Sequence, residues 1–301
     1  MTNSKLKSPY PFFGGKSRAA DTIWAAFGDI TNYVEPFGGS MAVLLASPKI
    51  AKIETVNDKD CFIANFWRAV SNDFEEVVKY ADYPVNETDL HARHRWLVSA
   101  ATDEFKLKMN SDPHYYDCKI AGWWVWGAGA SITGNWMLPK GLNSMPQISS
   151  AGGGIHGLTY TVSEWLEKLQ KRTRRVRVCC GDWSKLVVPS VTYGSKGLVP
   201  ADMTAILLDP PYELVGRSKV YKEESNIFAE VCQWAIDNGD NPRLRIAVCG
   251  YQGAQKFPAS WQEHTWKTNG GMANKAISDT SQGKLNKAKE TIWFSPFCNK
   301  V

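Results

Sequence analysis

The chain has no C-x-x-C pair, and its seven cysteines, Cys61, Cys118, Cys179, Cys180, Cys232, Cys249 and Cys298, are odd in number. A disulfide framework and a zinc site are therefore disfavoured, no metal is expected, and a reducing compartment is. Cys179 and Cys180, neighbours in a strand-like run, read as small buried hydrophobes. No apolar run approaches the roughly 20 residues that a helix needs to cross a bilayer. The opening Met1-Thr2-Asn3-Ser4-Lys5-Leu6-Lys7 lacks the apolar stretch of a secretory signal, so a cytoplasmic setting is expected. The glycine turn Glu35-Pro36-Phe37-Gly38-Gly39-Ser40 at the end of the first strand is not G-x-G-x-x-G, which disfavours a dinucleotide cradle there and hence a dinucleotide oxidoreductase. No internal repeat or long low-complexity tract is visible.

Charge is present but unevenly spread. The net value of +5 is modest. Yet Lys168, Lys171, Arg172, Arg174, Arg175 and Arg177 form one basic cluster, and Lys256, Lys267, Lys275, Lys284, Lys287, Lys289 and Lys300 form a looser second one. Such clusters serve as solvated faces or as contacts to a polyanion. Tryptophan is abundant, with 13 residues, enough for both core packing and base stacking.

Short apolar runs at residues 32–37, 52–57, 175–180, 204–208, 244–249 and 291–294 read as buried strands. Helical stretches lie between them. Ser40 can cap Met41 to Leu45, and Asp60 can cap a helix with Phe62, Ile63, Phe66, Trp67 and Val70 on one face. Thr161 and Glu164 have capping-box spacing before Trp165, Leu166 and Leu169. Ile227, Phe228, Val231, Trp234 and Ala235 make another apolar face. Strands alternating with helices predict an α/β fold with a largely parallel sheet. Residues 84–160 break that rhythm and read as a partly helical insertion between the second and third strands. Residues 270–289, rich in Gly, Asn, Ser and Lys, read as a long mobile loop between two late strands.

The chemistry concentrates where strands end. Asp209-Pro210-Pro211-Tyr212 follows the apolar run Ala205 to Leu208. Proline fixes φ and has no N–H, so this stiff turn offers carbonyls, a carboxylate and a flat ring. That set suits a planar substrate with an exposed amino group, although a plain strand-to-turn junction would use the same residues. The first strand ends in Glu35-Pro36-Phe37-Gly38-Gly39-Ser40, where paired glycines let a ligand approach the backbone or simply form a tight turn. The second ends at Asn57-Asp58, where an acid serves either as a ribose acceptor or, with Asp60, as a helix cap. Gly181-Asp182 ends the third. Upstream, Phe12-Phe13-Gly14-Gly15-Lys16 puts a cation after two glycines; alone it fits a surface turn. Its rings could lie against a cationic ligand.

These segments occur in one order: Phe12 to Lys16, Glu35 to Ser40, Asn57-Asp58, then Asp209 to Tyr212. That order closely resembles the Dam-like (D12 class) adenine-N6 DNA methyltransferases. The resemblance covers nearly the whole chain, down to Glu290-Thr291-Ile292-Trp293-Phe294-Ser295-Pro296, and is weakest over residues 84–160. Phe12 stands where many relatives carry tryptophan. The resemblance implies a Rossmann-like catalytic domain over residues 1–83 and 161–301, with a target-recognition lobe at 84–160. It implies S-adenosylmethionine as methyl donor, with Phe12 and Lys16 near it, Glu35, Pro36, Phe37, Gly38 and Gly39 around its methionine part, Asp58 on its ribose and Asp182 reaching its adenine. Asp209 would sit between cofactor and target base. Asp209, Pro210, Pro211 and Tyr212 would form the catalytic turn.

The implied reaction is methylation of the N6 amino group of a flipped-out adenine in double-stranded DNA, site-specific or relaxed in its specificity. Asp209 and the Pro210 carbonyl would accept the two amino N–H bonds, and Tyr212 would stack on the base. Lys275, Lys284 and Lys287, with Lys289, are the candidate DNA clamp. His91, Arg93, His94 and Arg95 could touch phosphates or form a solvated helix face. A cytosine-N4 methyltransferase and a non-catalytic nucleic-acid-binding relative are the alternatives, with RNA a weaker substrate. The implied setting is a bacterial or phage-encoded, nucleoid-associated enzyme, monomer or weak dimer, of the restriction–modification type.

Overall fold

A computed structural model describes residues 6–12, 14–131, 136, 145–146, 154–157, 161–193, 203–211, 222–265 and 290–301, with backbone alone at 222–226. All six predicted strands form, and a seventh joins them: β1 (Asn32–Glu35), β2 (Ile53–Asp58), β3 (Arg177–Cys180), β4 (Thr204–Leu208), β5 (Leu244–Tyr251), β6 (Gln262–Thr265) and β7 (Glu290–Phe294). They make one sheet in the order β3-β2-β1-β4-β5-β7-β6. β1 runs parallel to β2 and β4, and β4 to β5; β7 is antiparallel to both β5 and β6. The expected mostly parallel α/β sheet is therefore present. All four residues of β1 and all five of β4 are buried, as expected for strands covered on both faces. The strand order reverses at β1 and β4, where open α/β sheets leave a crevice beyond the carboxyl ends.

By packing, the chain divides into two compact units. One comprises Met1–Lys16, Gly38–Ala46 and Asn57–Asp182; the other comprises Ser17–Phe37, Ser47–Val56 and Trp183–Val301. Helices dominate the first: α2 (Ala42–Leu45), α3 (Cys61–Ala81), α4 (Glu87–Ala100), α5 (Asp103–Ser111), α6 (Cys118–Ala130) and α7 (Val162–Thr173). The second holds α1 (Ala20–Phe27), α8 (Pro189–Thr192) and α9 (Lys222–Asn238).

In the first unit α3 is the spine. Asp60 caps it through Phe62 N, and a break at Asp73 (φ −150°, ψ 65°) divides it. α6 and α7 pack along α3, and α4 packs on α6. The α7 capping box predicted at Thr161 and Glu164 is formed. The predicted Ser40 cap is not: α2 starts after Met41, which adopts the left-handed region (φ 52°), and Ser40 is buried. The three helices of residues 84–130 bear out a helical character there. Of the four basic residues considered on α4, Arg93 and His94 are buried and Arg95 is exposed. The Arg93 guanidinium lies 4.1 Å from the centre of the Trp126 ring and 4.7 Å from that of Tyr83, so it works inside the fold.

The second unit ties β1 to its neighbours through buried polar groups. Asn32 Nδ2 donates to Val191 O at 2.9 Å and to Thr204 Oγ1 at 3.2 Å. Ser295 Oγ accepts from Ile246 N at 2.9 Å just beyond β7. No helix among the described residues is long and apolar enough to cross a membrane.

Candidate active site

In the first unit the predicted glycine turns and Asp58 converge on one backbone position, Gly39. Its N–H donates to Asp58 Oδ2 at 2.9 Å. Its carbonyl accepts from Tyr10 Oη at 2.8 Å and from Trp67 Nε1 at 3.1 Å. Gly38 N donates to Asn57 O at 2.7 Å, which brings the glycine pair to the end of β2. Glycine is required at position 39 on two counts. Its φ is +45°, and a Cβ there would lie 2.6 Å from Phe12 Cε1. The Phe12 ring thus lies against the turn, and Phe12 is 44% exposed.

Gly14-Gly15-Lys16 folds back beside it. Gly15 N donates to Phe12 O at 3.1 Å, and Lys16 Nζ donates to Gly14 O at 2.6 Å. Lys16 is buried, against the expectation for a lysine in a surface turn.

Asp58 is bound on both carboxylate oxygens, Oδ2 by Gly39 N and Oδ1 by Asp60 N at 2.8 Å. Burial, with the Asp60 carboxylate next, pushes its carboxyl up to about 7, against the lowering effect of the N–H groups of Asp60, Gly39 and Lys59. Three backbone N–H groups thus act on the carboxylate, fewer than its roughly four acceptor sites, which leaves acceptor capacity for a ligand hydroxyl. Gly181 N donates to Asp58 O at 3.1 Å, and Asn57 Nδ2 donates to Gly181 O at 2.9 Å. Asp182, exposed, follows directly.

In the second unit β1 and β4 end at the same sheet edge, with Val34 level with Ile206. Glu35 is buried, and its Oε2 accepts from Tyr33 Oη at 3.0 Å. Burial first, then the Glu35 charge, holds the Tyr33 hydroxyl well above its ordinary value, so it stays a donor. Beyond Glu35, Phe37 stacks with Trp183, centroids 6.2 Å apart and planes at 26°. Beyond β4 come Asp209, half-buried, Pro210, buried, and Pro211, exposed. Phe13, Tyr212, Lys275, Lys284, Lys287 and Lys289, and the predicted loop at 270–289, lie outside the described residues.

Tyr10, Trp67 and Tyr33 were not predicted from the sequence. A signal existed for Tyr10, two residues before Phe12 in the same segment; Trp67 had only its place on an apolar helix face. Among the described residues no group of three or more His, Cys, Asp or Glu is arranged to hold a metal ion.

Comparison with known families bears on this arrangement. Residues 12–120 match the family model of the D12 class N6 adenine-specific DNA methyltransferases. The recognition drawn from the motifs holds over that span, and such a family acts on adenine in DNA. The matched span includes Phe12, Lys16, Glu35 to Gly39 and Asp58; Asp182 and Asp209 lie beyond it. No curated protein matches the chain.

Proposed function

We propose that the protein transfers a methyl group from S-adenosylmethionine to the N6 amino group of a flipped-out adenine in double-stranded DNA. The observation that carries this reading is the D12 family match over residues 12–120, which takes in the Gly39–Asp58 turn. The family's description names adenine N6, which supports this base over cytosine N4.

The residues fit the cofactor. A carboxylate at Asp58 that backbone N–H groups hold without filling all its acceptor sites suits the ribose hydroxyls. Lys16 suits a carboxylate, and the exposed aromatic ring of Phe12 suits a sulfonium. Glu35 to Gly39 are assigned to the methionine part, Asp182 to the adenine. When bound, S-adenosylmethionine supplies an electrophilic methyl group on a positively charged sulfur. The chain's own task is to make the adenine amino nitrogen nucleophilic, since its lone pair is delocalised into the ring. Asp209 and the Pro210 carbonyl accept its two N–H bonds and stabilise the positive charge that develops there. Rigid prolines hold those acceptors without reorganisation. Tyr212 stacks on the extruded base, offsetting part of the few kcal/mol that flipping costs. Residues 84–160 are assigned to target reading and Lys275, Lys284 and Lys287 to phosphates, with the protein a monomer or weak dimer.

The test is to incubate the pure full-length chain with S-adenosylmethionine and unmethylated DNA and to identify modified nucleosides by mass spectrometry. N6-methyladenine is the expected product. N4-methylcytosine would overturn the choice of base, and cofactor binding without any methylated product would indicate a non-catalytic relative.

The Asp58 carboxyl also sets a pH dependence. Its value is raised from an ordinary 3.8 to about 7, so it carries a proton through the mildly acidic range. An ionised carboxylate accepts hydrogen bonds only, so it is the form that serves ribose hydroxyls. Affinity for S-adenosylmethionine should rise with pH, by up to about tenfold per unit below 7, and level off above it. Asp58→Asn should flatten that profile in titration calorimetry. Stability runs the other way: with a raised folded-state value, the contribution is full below the unfolded value and is lost as pH climbs towards 7.

A further inference from the structure

At the foot of the Asp58 turn, two cysteines 119 positions apart in sequence face each other. Cys61 is the first residue of α3, and Cys180 is the last of β3. Their sulfurs are 3.3 Å apart. Cys61 is half-buried and so open to small solutes, whereas Cys180 is buried at 2% exposure. We propose that Cys61 and Cys180 form a peroxide-sensitive dithiol whose disulfide crosslinks α3 to β3 and loosens the Asp58 turn.

The geometry needs little change. A disulfide brings the sulfurs to about 2.05 Å, so they must close by roughly 1.2 Å. The thiol chemistry separates Cys61 from Cys118, Cys232 and Cys298. Hydrogen bonding from Cys180 lowers the Cys61 thiol, against burial and the Asp60 carboxylate, with Lys106 and Arg68 acting in the same direction as Cys180. Burial instead pushes Cys118 and Cys232 up to about 12, and Cys298 up to about 11.

The reaction takes one equivalent of hydrogen peroxide. The Cys61 thiolate attacks one peroxide oxygen, the O–O bond breaks, and the departing hydroxide takes the thiol's proton to leave as water. Cys61 is then a sulfenic acid. The Cys180 sulfur attacks the Cys61 sulfur, the S–O bond breaks, and the hydroxyl leaves as a second water with the Cys180 proton. Two thiols and one peroxide give one disulfide and two waters, and a thiol reductant reverses the change.

The consequence follows from the neighbours. Asp58, Asp60 and Cys61 form one turn, whose Asp58 oxygens hold Gly39 N and Asp60 N. Gly181, next to Cys180, is bonded to Asp58 O and to Asn57 Nδ2. Drawing the two sulfurs together pulls on both ends of this set. The crosslink itself does not depend on the proposed function; its effect on cofactor binding does.

Reduced full-length protein is treated with hydrogen peroxide, blocked with an alkylating agent and digested with trypsin. The expected product joins the peptides 60–68 and 178–185. It should persist in Cys179→Ser, vanish in Cys180→Ser and in Cys61→Ser, and be reversed by dithiothreitol. Absence of the linked peptide, or its retention in Cys180→Ser, overturns the pairing. Calorimetry should show S-adenosylmethionine bound several-fold more weakly by oxidised than by reduced protein, with recovery on reduction. Equal affinity in the two states overturns the coupling. Protein that crosslinks yet binds no S-adenosylmethionine in either state overturns the methyl-transfer reading and leaves the bond standing.

Discussion

Replacing Asp209 with alanine is expected to lower kcat for methyl transfer by about 10²–10³-fold or more, while the protein remains folded. The residue follows directly on β4, whose five residues are all buried, and precedes the buried Pro210. Under the proposed mechanism its carboxylate accepts an amino N–H bond, so its loss should fall on the chemical step. Asp209→Asn tests the assignment more finely. It keeps one carbonyl acceptor but removes the negative charge and places a donor where the amino group must donate. Its rate should therefore fall between those of alanine and wild type, or match alanine if charge dominates. Single-turnover transfer of a labelled methyl group reads the chemical step, and a thermal melt reads the fold. Full activity in Asp209→Ala would sink the mechanism.

The sheet was largely legible because its central strands carry their own signal. Thr204 to Leu208 and Leu244 to Cys249 are mainly apolar runs, buried at every position except the half-buried Arg245, so burial follows the sequence closely. β6 was missed for the opposite reason. Gln262-Glu263-His264-Thr265 is polar and alternates between half-buried and exposed at the end of the sheet. Nothing in its composition distinguishes it from a loop; pairing with β7 makes it a strand. The Ser40 cap failed because Met41 takes the left-handed conformation, which composition does not announce for a methionine.

The site divides in the same way. Glu35, Asp58 and Asp209 were visible as candidates because these acids stand at strand ends, a position that the apolar runs define. Tyr10 and Trp67 were not, because their roles consist of bonds to a carbonyl 29 and 28 residues away. Such bonds exist only after folding. Asp60 shows how the two kinds of information combine. Its capping of α3 was readable, while its like charge beside Asp58, which helps to raise that carboxyl, was not. The Cys61–Cys180 contact is tertiary in the same sense: adjacent Cys179 and Cys180 suggested burial, and only the fold supplies the partner.

Gly122→Ala should be among the most destabilising of small substitutions in this chain. A Cβ at Gly122 would lie 2.4 Å from Tyr80 Cβ, 2.8 Å from Val77 O and 3.0 Å from Tyr80 C. Two of those atoms belong to the α3 backbone, so no rotamer change relieves the contact, and α6 must move away from α3. Overpacking of this kind costs typically about 1–3 kcal/mol. Each kcal/mol lowers Tm by roughly 2–4 °C in a domain of 150–250 residues. Gly39→Ala is the contrasting case. Its clash is with the half-exposed Phe12 ring, which can rotate, so Phe12→Ala should recover part of the loss and leave mainly the strain at φ +45°. Tyr80→Ala should recover none of the Gly122→Ala loss, because alanine retains the Cβ that is struck. Thermal melts of the two double-mutant cycles decide the point. Coupling at Gly39 and additivity at Gly122 would show that the first glycine makes room for a side chain and the second for a helix.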